Sequence, residues 1–357
     1  MTESSKGFNR ILSDFKKTNH LFTGRATAGL YLILKARRIE NSGVVCPANI
    51  CHSIVNAVLL SGNRPVFADV DPDDGNTRLE FLAEKWAEDT AVLLVPHMFG
   101  NPCVDMERIS AFCRKKNILL IEDCAVCIGG GAGGRHPGEH GDYSLLSFGH
   151  NKIMDIGSGG MVLSNQPLED LEELNTRLPE MSDEIREKTE LYSKLFADVY
   201  HSGHLDELLP RLAAVNEYFQ DTYLFRESAE RLNTLHGEME NLGSNLESRR
   251  AIADYYSTAI DFTGDVTRYP YRNGAVFWRF NILVHHPVSR RRIIEKLLEN
   301  HIPVSIWSPP INKLFGDVGT YGNADRFSKR ILNLPVTVDA RTAEKAVESI
   351  ENARKSS

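Results

Sequence analysis

Apolar residues come in short continuous runs through the first half of the chain, separated by stretches with helical patterning. Val44-Val45-Cys46, Pro65 to Val70, Ala91 to Val95, Ile118 to Asp123 and Tyr143 to Phe148 read as strands. They are runs rather than alternations, so both faces of each strand are expected to be covered. Between them, Ile50 to Gly62 and Val104 to Asn117 read as helices. Buried strands alternating with helices predict an α/β fold: a mostly parallel central sheet with flanking helices, whose ligands sit beyond the strand C-termini.

After Asn165 the pattern changes. Residues 167 to about 260 read as helical, and Leu232, Leu235, Met239, Leu242 and Leu246 recur at three- and four-residue spacing. One long amphipathic helix follows, its stripe explained by packing on its own core or on a partner subunit. From Phe277 the pattern is mixed again: a strand from Arg279 to Val284, a helix from Arg290 to Asn300, a strand from Val304 to Trp307 and a final helix from Ala340. This predicts a large domain over 1–250 and a small α+β C-terminal domain over 251–357.

The chain of 357 residues is 42% hydrophobic, enough to bury a substantial core. Its net charge of −7 argues against a nucleic-acid binder, which needs a concentrated basic face. The first ten residues lack an apolar stretch of the secretory kind, and no apolar run reaches the roughly 18 residues of a membrane helix. A cytoplasmic protein without membrane attachment is the expectation. The six cysteines lie in apolar surroundings and read as reduced core thiols. Cys124 and Cys127 form a C-x-x-C, but at a strand end rather than at the helix start that redox chemistry uses.

Three places carry candidate chemistry. Lys152 follows the strand ending at Phe148 and precedes Gly157-Ser158-Gly159-Gly160, small residues that let a flat ligand approach. A lysine nucleophile must be partly desolvated to be neutral near pH 7. Asp123 ends the strand through Leu119-Leu120-Ile121-Glu122, where a carboxylate points into the ligand crevice; alone, it reads equally as a turn or capping aspartate. Gly24-Arg25-Ala26-Thr27-Ala28-Gly29 precedes a helix expected from Leu30 onward, and small residues with a hydroxyl there make an anion site or a simple N-cap.

Taken together and in this order, these stretches resemble the pyridoxal-phosphate (PLP) dependent sugar aminotransferases of the DegT/DnrJ/EryC1/StrS family, of the aspartate aminotransferase-like fold type I. The resemblance covers about residues 20–165 and, more weakly, about 226–350. It is carried by Ala26-Thr27-Ala28-Gly29-Leu30, Pro65 through Pro72, Pro96 through Pro102, Ile121-Glu122-Asp123 and Ser147-Phe148 through Lys152. It implies that Lys152 holds PLP as a Schiff base and shuttles the proton, and that Asp123 binds the ring nitrogen. Ala26, Thr27, Ala28 and Ser147 would bind the cofactor phosphate, and Cys51 would lie over the ring face. It also implies a homodimer, glutamate as amino donor and a keto-sugar acceptor, often nucleotide-linked.

Departures from the family pattern cluster around the same site. Cys51 stands where an aromatic residue often stacks on the ring. Val126 replaces the polar residue that bonds the cofactor's phenolic oxygen. Thr222-Tyr223-Leu224-Phe225-Arg226 aligns with Gly-x-Asn-x-Arg, a segment that reaches the neighbouring subunit's cofactor phosphate; the Arg survives as Arg226 and the Asn does not. Extra helical sequence lies at about 175–220. Arg25 adds a planar cation beside the phosphate turn, either to replace a phosphate contact or to grip a substrate anion, and so points to an acidic keto-sugar. His150 either tunes the Schiff base, touches substrate or merely packs.

Other motifs carry less. Gly129 to Gly134 spells G-x-G-x-x-G but runs into a turn rather than a helix, so it reads as a glycine-rich hairpin. His201-x-x-His204 and His285-His286 lack the further ligands of a metal site. A sugar aminotransferase is therefore expected. The alternatives are a PLP enzyme with a non-sugar substrate or another reaction, and a non-catalytic protein of the same fold. Lys152 argues against the related sugar dehydratases, which carry His there.

Overall fold

The computed structural model describes residues 12–131, 135–201, 205–307 and 309–355. Seven strands form the large sheet: β1 (Asn19–Thr23), β2 (Gly43–Pro47), β3 (Arg64–Ala68), β4 (Thr90–Pro96), β5 (Leu119–Asp123), β6 (Tyr143–Ser147) and β7 (Gly160–Ser164). Their order is β1-β7-β6-β5-β4-β2-β3. The pairs from β6 to β3 are parallel, whereas β7 runs antiparallel to both β6 and β1. Every residue of β2 and β7 is buried, as are most of β4, β5 and β6. Helices cover both faces, which explains the unbroken apolar runs.

The helix expected from Leu30 starts earlier, at Ala26. Arg25 is extended and caps it, and the first i→i−4 bond runs from Gly29 N–H to the Arg25 carbonyl at 3.1 Å. The small residues read as a turn are thus the helix's first turn. Its N-terminus presses on β7 so closely that a Cβ on Gly160 would stand 2.2 Å from the Ala26 nitrogen.

Two helices, Asp183–His201 and Leu205–Phe219, pack together and dock on the helix His52–Leu60. The dock is polar at its centre. Asn56 and Asn216 exchange side-chain hydrogen bonds of 2.8 and 2.9 Å, and the Tyr192 hydroxyl donates to Asn216 Oδ1 at 3.0 Å. A 31-residue helix, Ala229–Ala259, follows; the Ser228 hydroxyl accepts the Arg231 N–H at its start. Leu235, Met239 and Leu242 of the expected stripe are buried against the large sheet's core. Farther along, Ala253 and Tyr256 join a second core.

That second core lies under an antiparallel sheet of order β10-β9-β8, made of β8 (Val266–Arg268), β9 (Phe280–Val284) and β10 (Ile331–Leu334). The helices Pro287–Glu299 and Ala340–Lys355 pack on it. The strand expected over Val304–Trp307 is not one. A single bridge joins Ser305 to Asn333, because Pro303 and Pro309-Pro310 bracket the segment and remove ladder donors. No helix among the described residues is long and apolar enough to cross a membrane.

Candidate active site

A cavity of about 460 Å³ opens beyond the C-terminal ends of β5 and β6. Seven segments line it. Arg25, Ala26 and Thr27 come from the first helix, Cys51 and His52 from the turn after β2, and Asp123 from the end of β5. Ser147, His150 and Lys152 come from the end of β6 and its loop, and Tyr192, Tyr223 and Trp307 close the far side.

Asp123 is buried at the strand end, with Oδ1 accepting the Ala125 N–H at 3.0 Å. Burial pushes its carboxyl up from the ordinary range, and the Lys152 charge and the Ala125 N–H oppose that push. Its neighbour Glu122 is fully buried. The Glu122 carboxylate accepts the His97 Nε2–H at 2.8 Å, the Gly138 N–H at 2.8 Å and the Gly141 N–H at 2.5 Å. His97 Nδ1 accepts the Cys103 N–H at 3.1 Å, which turns Nε2 toward Glu122. Burial alone would raise the Glu122 pKa; these bonds outweigh it and hold the group ionised. Strand β5 is thus anchored by one acid while the next residue faces the cavity.

Lys152 lies on the loop joining β6 to β7. Its N–H bonds the Gly149 carbonyl at 3.2 Å, and Asn151 before it is left-handed at φ 64°. Asp155 accepts the Asn151 and Gly157 N–H groups, both at 2.8 Å, and so closes the loop. From outside, Trp278 Nε1 donates to the Asn151 carbonyl at 2.5 Å, Asn245 to Ile153 at 2.9 Å and Arg231 to Ile156 at 2.9 Å. A loop tied at both ends holds its lysine in place. Lys152 also borders a second hollow of about 270 Å³, shared with Arg249 and Trp278.

At the opposite end, the Arg25 guanidinium lies 5.0 Å from the Tyr223 ring centroid and 6.0 Å from that of Phe225. Its Nε is shut off from solvent and has no hydrogen-bond partner among the described residues. Gly24 makes the stacking possible, since a Cβ there would stand 2.0 Å from the Phe225 carbonyl oxygen. Burial lowers the Arg25 pKa, partly offset by nearby Tyr223. Burial and then the Arg25 charge push the His52 imidazole down to about 4, so it is neutral at pH 7. His52 packs between Tyr192 at 5.8 Å and Trp307 at 6.3 Å.

Eight residues singled out from the sequence meet in this cavity: Arg25, Ala26, Thr27, Cys51, Asp123, Ser147, His150 and Lys152. Three do not line it. Ala28 is wholly buried behind the first turn. Val126 stands aside, and Ala125 lines the wall in its place. Arg226 pairs with Glu180 at 2.6 Å, away from the cavity. His150 is largely exposed, with Nδ1 3.7 Å from Asp155. Sequence reading missed His52, Tyr192 and Trp307. Tyr223 lay inside the aligned Thr222–Arg226 segment, the one available signal. Cys124 and Cys127 are buried core thiols. Of Gly129 to Gly134, the last three residues lie outside the described residues, as does His204. Among the described residues no group of three or more His, Cys, Asp and Glu could hold a metal ion.

The donor set fits PLP. A helix N-terminus without a side-chain cap, with the Thr27 and Ser147 hydroxyls beside it, suits a phosphate. A buried carboxylate suits a pyridinium, and a held lysine suits a carbonyl.

A family model described as the DegT/DnrJ/EryC1/StrS aminotransferase family matches residues 2–190 and 232–351, and the chain belongs to that family. GDP-perosamine synthase of Escherichia coli O157:H7 is 33% identical over 169 residues, 45% of this chain and 46% of that protein. The chain's match thus spans about half the length of such curated relatives. A putative pyridoxal phosphate-dependent aminotransferase, EpsN of Bacillus subtilis (strain 168), is 23% identical over 296 residues, 80% of this chain and 69% of its own. The fold is also that of the aminotransferase TlmJ from Streptoalloteichus hindustanus, with TM-score 0.78 at 20% identity over 100% of this chain and 92% of the other. The family model passes over residues 191–231, the stretch that contributes Tyr192 and Tyr223 to the cavity wall and Phe225 to the rings beside Arg25.

Proposed function

We propose that this chain is a PLP-dependent aminotransferase that moves an amino group from an amino acid, glutamate in the first instance, to a keto-sugar that is nucleotide-linked or a sugar acid. The observation carrying the reading is that Lys152 and Asp123 line one cavity with an uncapped helix N-terminus. Family membership and relatives such as GDP-perosamine synthase support the sugar acceptor. When bound, PLP supplies an electron-withdrawing ring on which an amino group and a proton can be exchanged. With the group bound, Lys152 Nζ would hold and move that proton from the cavity wall. Asp123 holds the ring nitrogen protonated, its buried carboxylate gaining a cationic partner. Ala26, Thr27 and Ser147 orient the phosphate through the first helical turn. Cys51 borders the ring face. His52, Tyr192 and Trp307 wall off the cavity on the Arg25 side.

A homodimer in the cytoplasm belongs to the same reading. Leu191 and Tyr218, exposed on the packed helices at 48% and 78%, are candidates for covering by a second copy. The test is borohydride reduction of the PLP-loaded protein followed by peptide mass spectrometry. A label on Lys152, with pyridoxamine phosphate formed from glutamate and consumed by a keto-sugar, is the expected result. A label on another lysine overturns the assignment.

A further inference from the structure

We infer that Arg25 is a ligand of the cofactor phosphate, supplying from within one chain the fixed positive charge that the helix N-terminus alone cannot. This rests on the PLP reading above. Arg25 and Lys152 are the only Arg or Lys side chains lining the cavity among the described residues. Lys152 is committed to the carbonyl end. A phosphate monoester carries between one and two negative charges near neutrality, whereas a helix N-terminus offers about half a positive one. One more cation is needed, and Arg25 caps that very helix.

The side chain is arranged for an in-plane ligand. Tyr223 and Phe225 cover the face of the guanidinium, which leaves its N–H edge as the bonding surface. Nothing among the described residues uses that edge: no ion pair to Arg25 forms within 4.0 Å, and its enclosed Nε bonds to nothing. A surface arginine can turn to water. This one is partly enclosed, its Nε shut off and its face against two aromatic rings, and a partly desolvated cation without an ion pair is costly. The rings that hold it come from residues 191–231, the stretch the family model passes over.

The experiment titrates the apoprotein with PLP and, separately, with pyridoxal, which lacks the phosphate. Wild type should prefer PLP strongly. Arg25→Gln should lose about 10- to 100-fold of PLP affinity, the size of a charge-assisted contact, and bind pyridoxal unchanged. Arg25→Lys should recover part of the loss, and it guards against a Gln variant that folds poorly. An unchanged PLP-to-pyridoxal ratio in Arg25→Gln overturns the inference. So does a slowed reaction with the keto-sugar at full PLP retention, which would assign Arg25 to the acceptor. Failure of wild type to bind PLP at all would instead remove the functional reading beneath it.

Discussion

At the Asp123 end of the cavity the backing acid Glu122 is matched by protein donors and Asp123 is fixed in place by strand pairing, whereas at the Arg25 end a charge waits without an ion pair. Glu122 collects three donors, Asp123 takes the Ala125 N–H, and strand pairing on both sides fixes their positions. Arg25 has two aromatic rings and no anion. The first end is built by sheet register, the second by helices docked from some 200 residues later in the chain. One end is therefore positioned by sheet register before any ligand arrives, and the other by helices docked against it. That division suits a site whose cofactor ring must sit in one orientation while its outer wall is free to differ between relatives.

The comparison can be broken at either end. The largest effect is expected from Lys152→Ala, a loss of transamination of about 10⁴-fold with an unchanged circular dichroism spectrum, because the loop stays tied without the amine. Single-turnover conversion of PLP to pyridoxamine phosphate measures it, and a near-normal rate would remove Lys152 from the chemistry. Asp123→Asn should cost about 100-fold in the same assay. Its effect on the apoprotein should run the other way. Burial raises the folded-state pKa of Asp123, so its contribution to stability is fully present below the unfolded pKa and is lost as pH rises through the folded one. The apo variant should therefore melt at or above wild type at neutral pH, and a markedly lower melting temperature would count against a strained, ligand-seeking carboxylate.

Behind it, Glu122→Gln should destabilise by about 2–3 kcal/mol in denaturant melts, since an amide cannot accept from His97, Gly138 and Gly141 as a carboxylate does. Glu122 is held below its ordinary pKa. Its contribution is thus present above about pH 4.3, the unfolded value, and fades as pH falls through the folded one. A variant gap that stays constant into acid would contradict this. The smallest effect is expected at the docked helices. Asn216→Leu leaves Asn56 without its side-chain partner, removes one acceptor from Tyr192 and should cost about 1–2 kcal/mol. Hydrogen exchange should speed over residues 183–223 and leave β5 protected; equal acceleration in both would dissolve the distinction between the two ends.

The parallel strands were legible because burial on both faces leaves no polar positions to confuse the pattern. Lys152 and Asp123 were legible because strand ends in such sheets face the crevice. Strands β1 and β7 were not: β1 reads Asn-His-Leu-Phe-Thr at a sheet edge, and β7 follows a glycine cluster that looks like loop. The helix at Ala26 was placed late because Thr27 and Gly29 are poor helix formers, and packing on β7 outweighs that. Val304–Trp307 had the composition of a strand and the prolines of an irregular segment, and the prolines prevail. Tyr192 and Trp307 reach the cavity through tertiary docking alone, which no local pattern encodes. Arg25 stood out as a departure, but its lack of an ion pair within 4.0 Å is a fact of three dimensions.

Cys51 gives the molecule a built-in gauge. Five of the six thiols are sealed in cores, and Cys51, at the lip of the cavity beside Ser53, is the one with partial access. A thiol-directed dye should therefore react with the native chain at a single position, and a seated ring should shade that position. Occupancy could be followed on the bench by reagent uptake, independent of colour or turnover, in any variant that still folds.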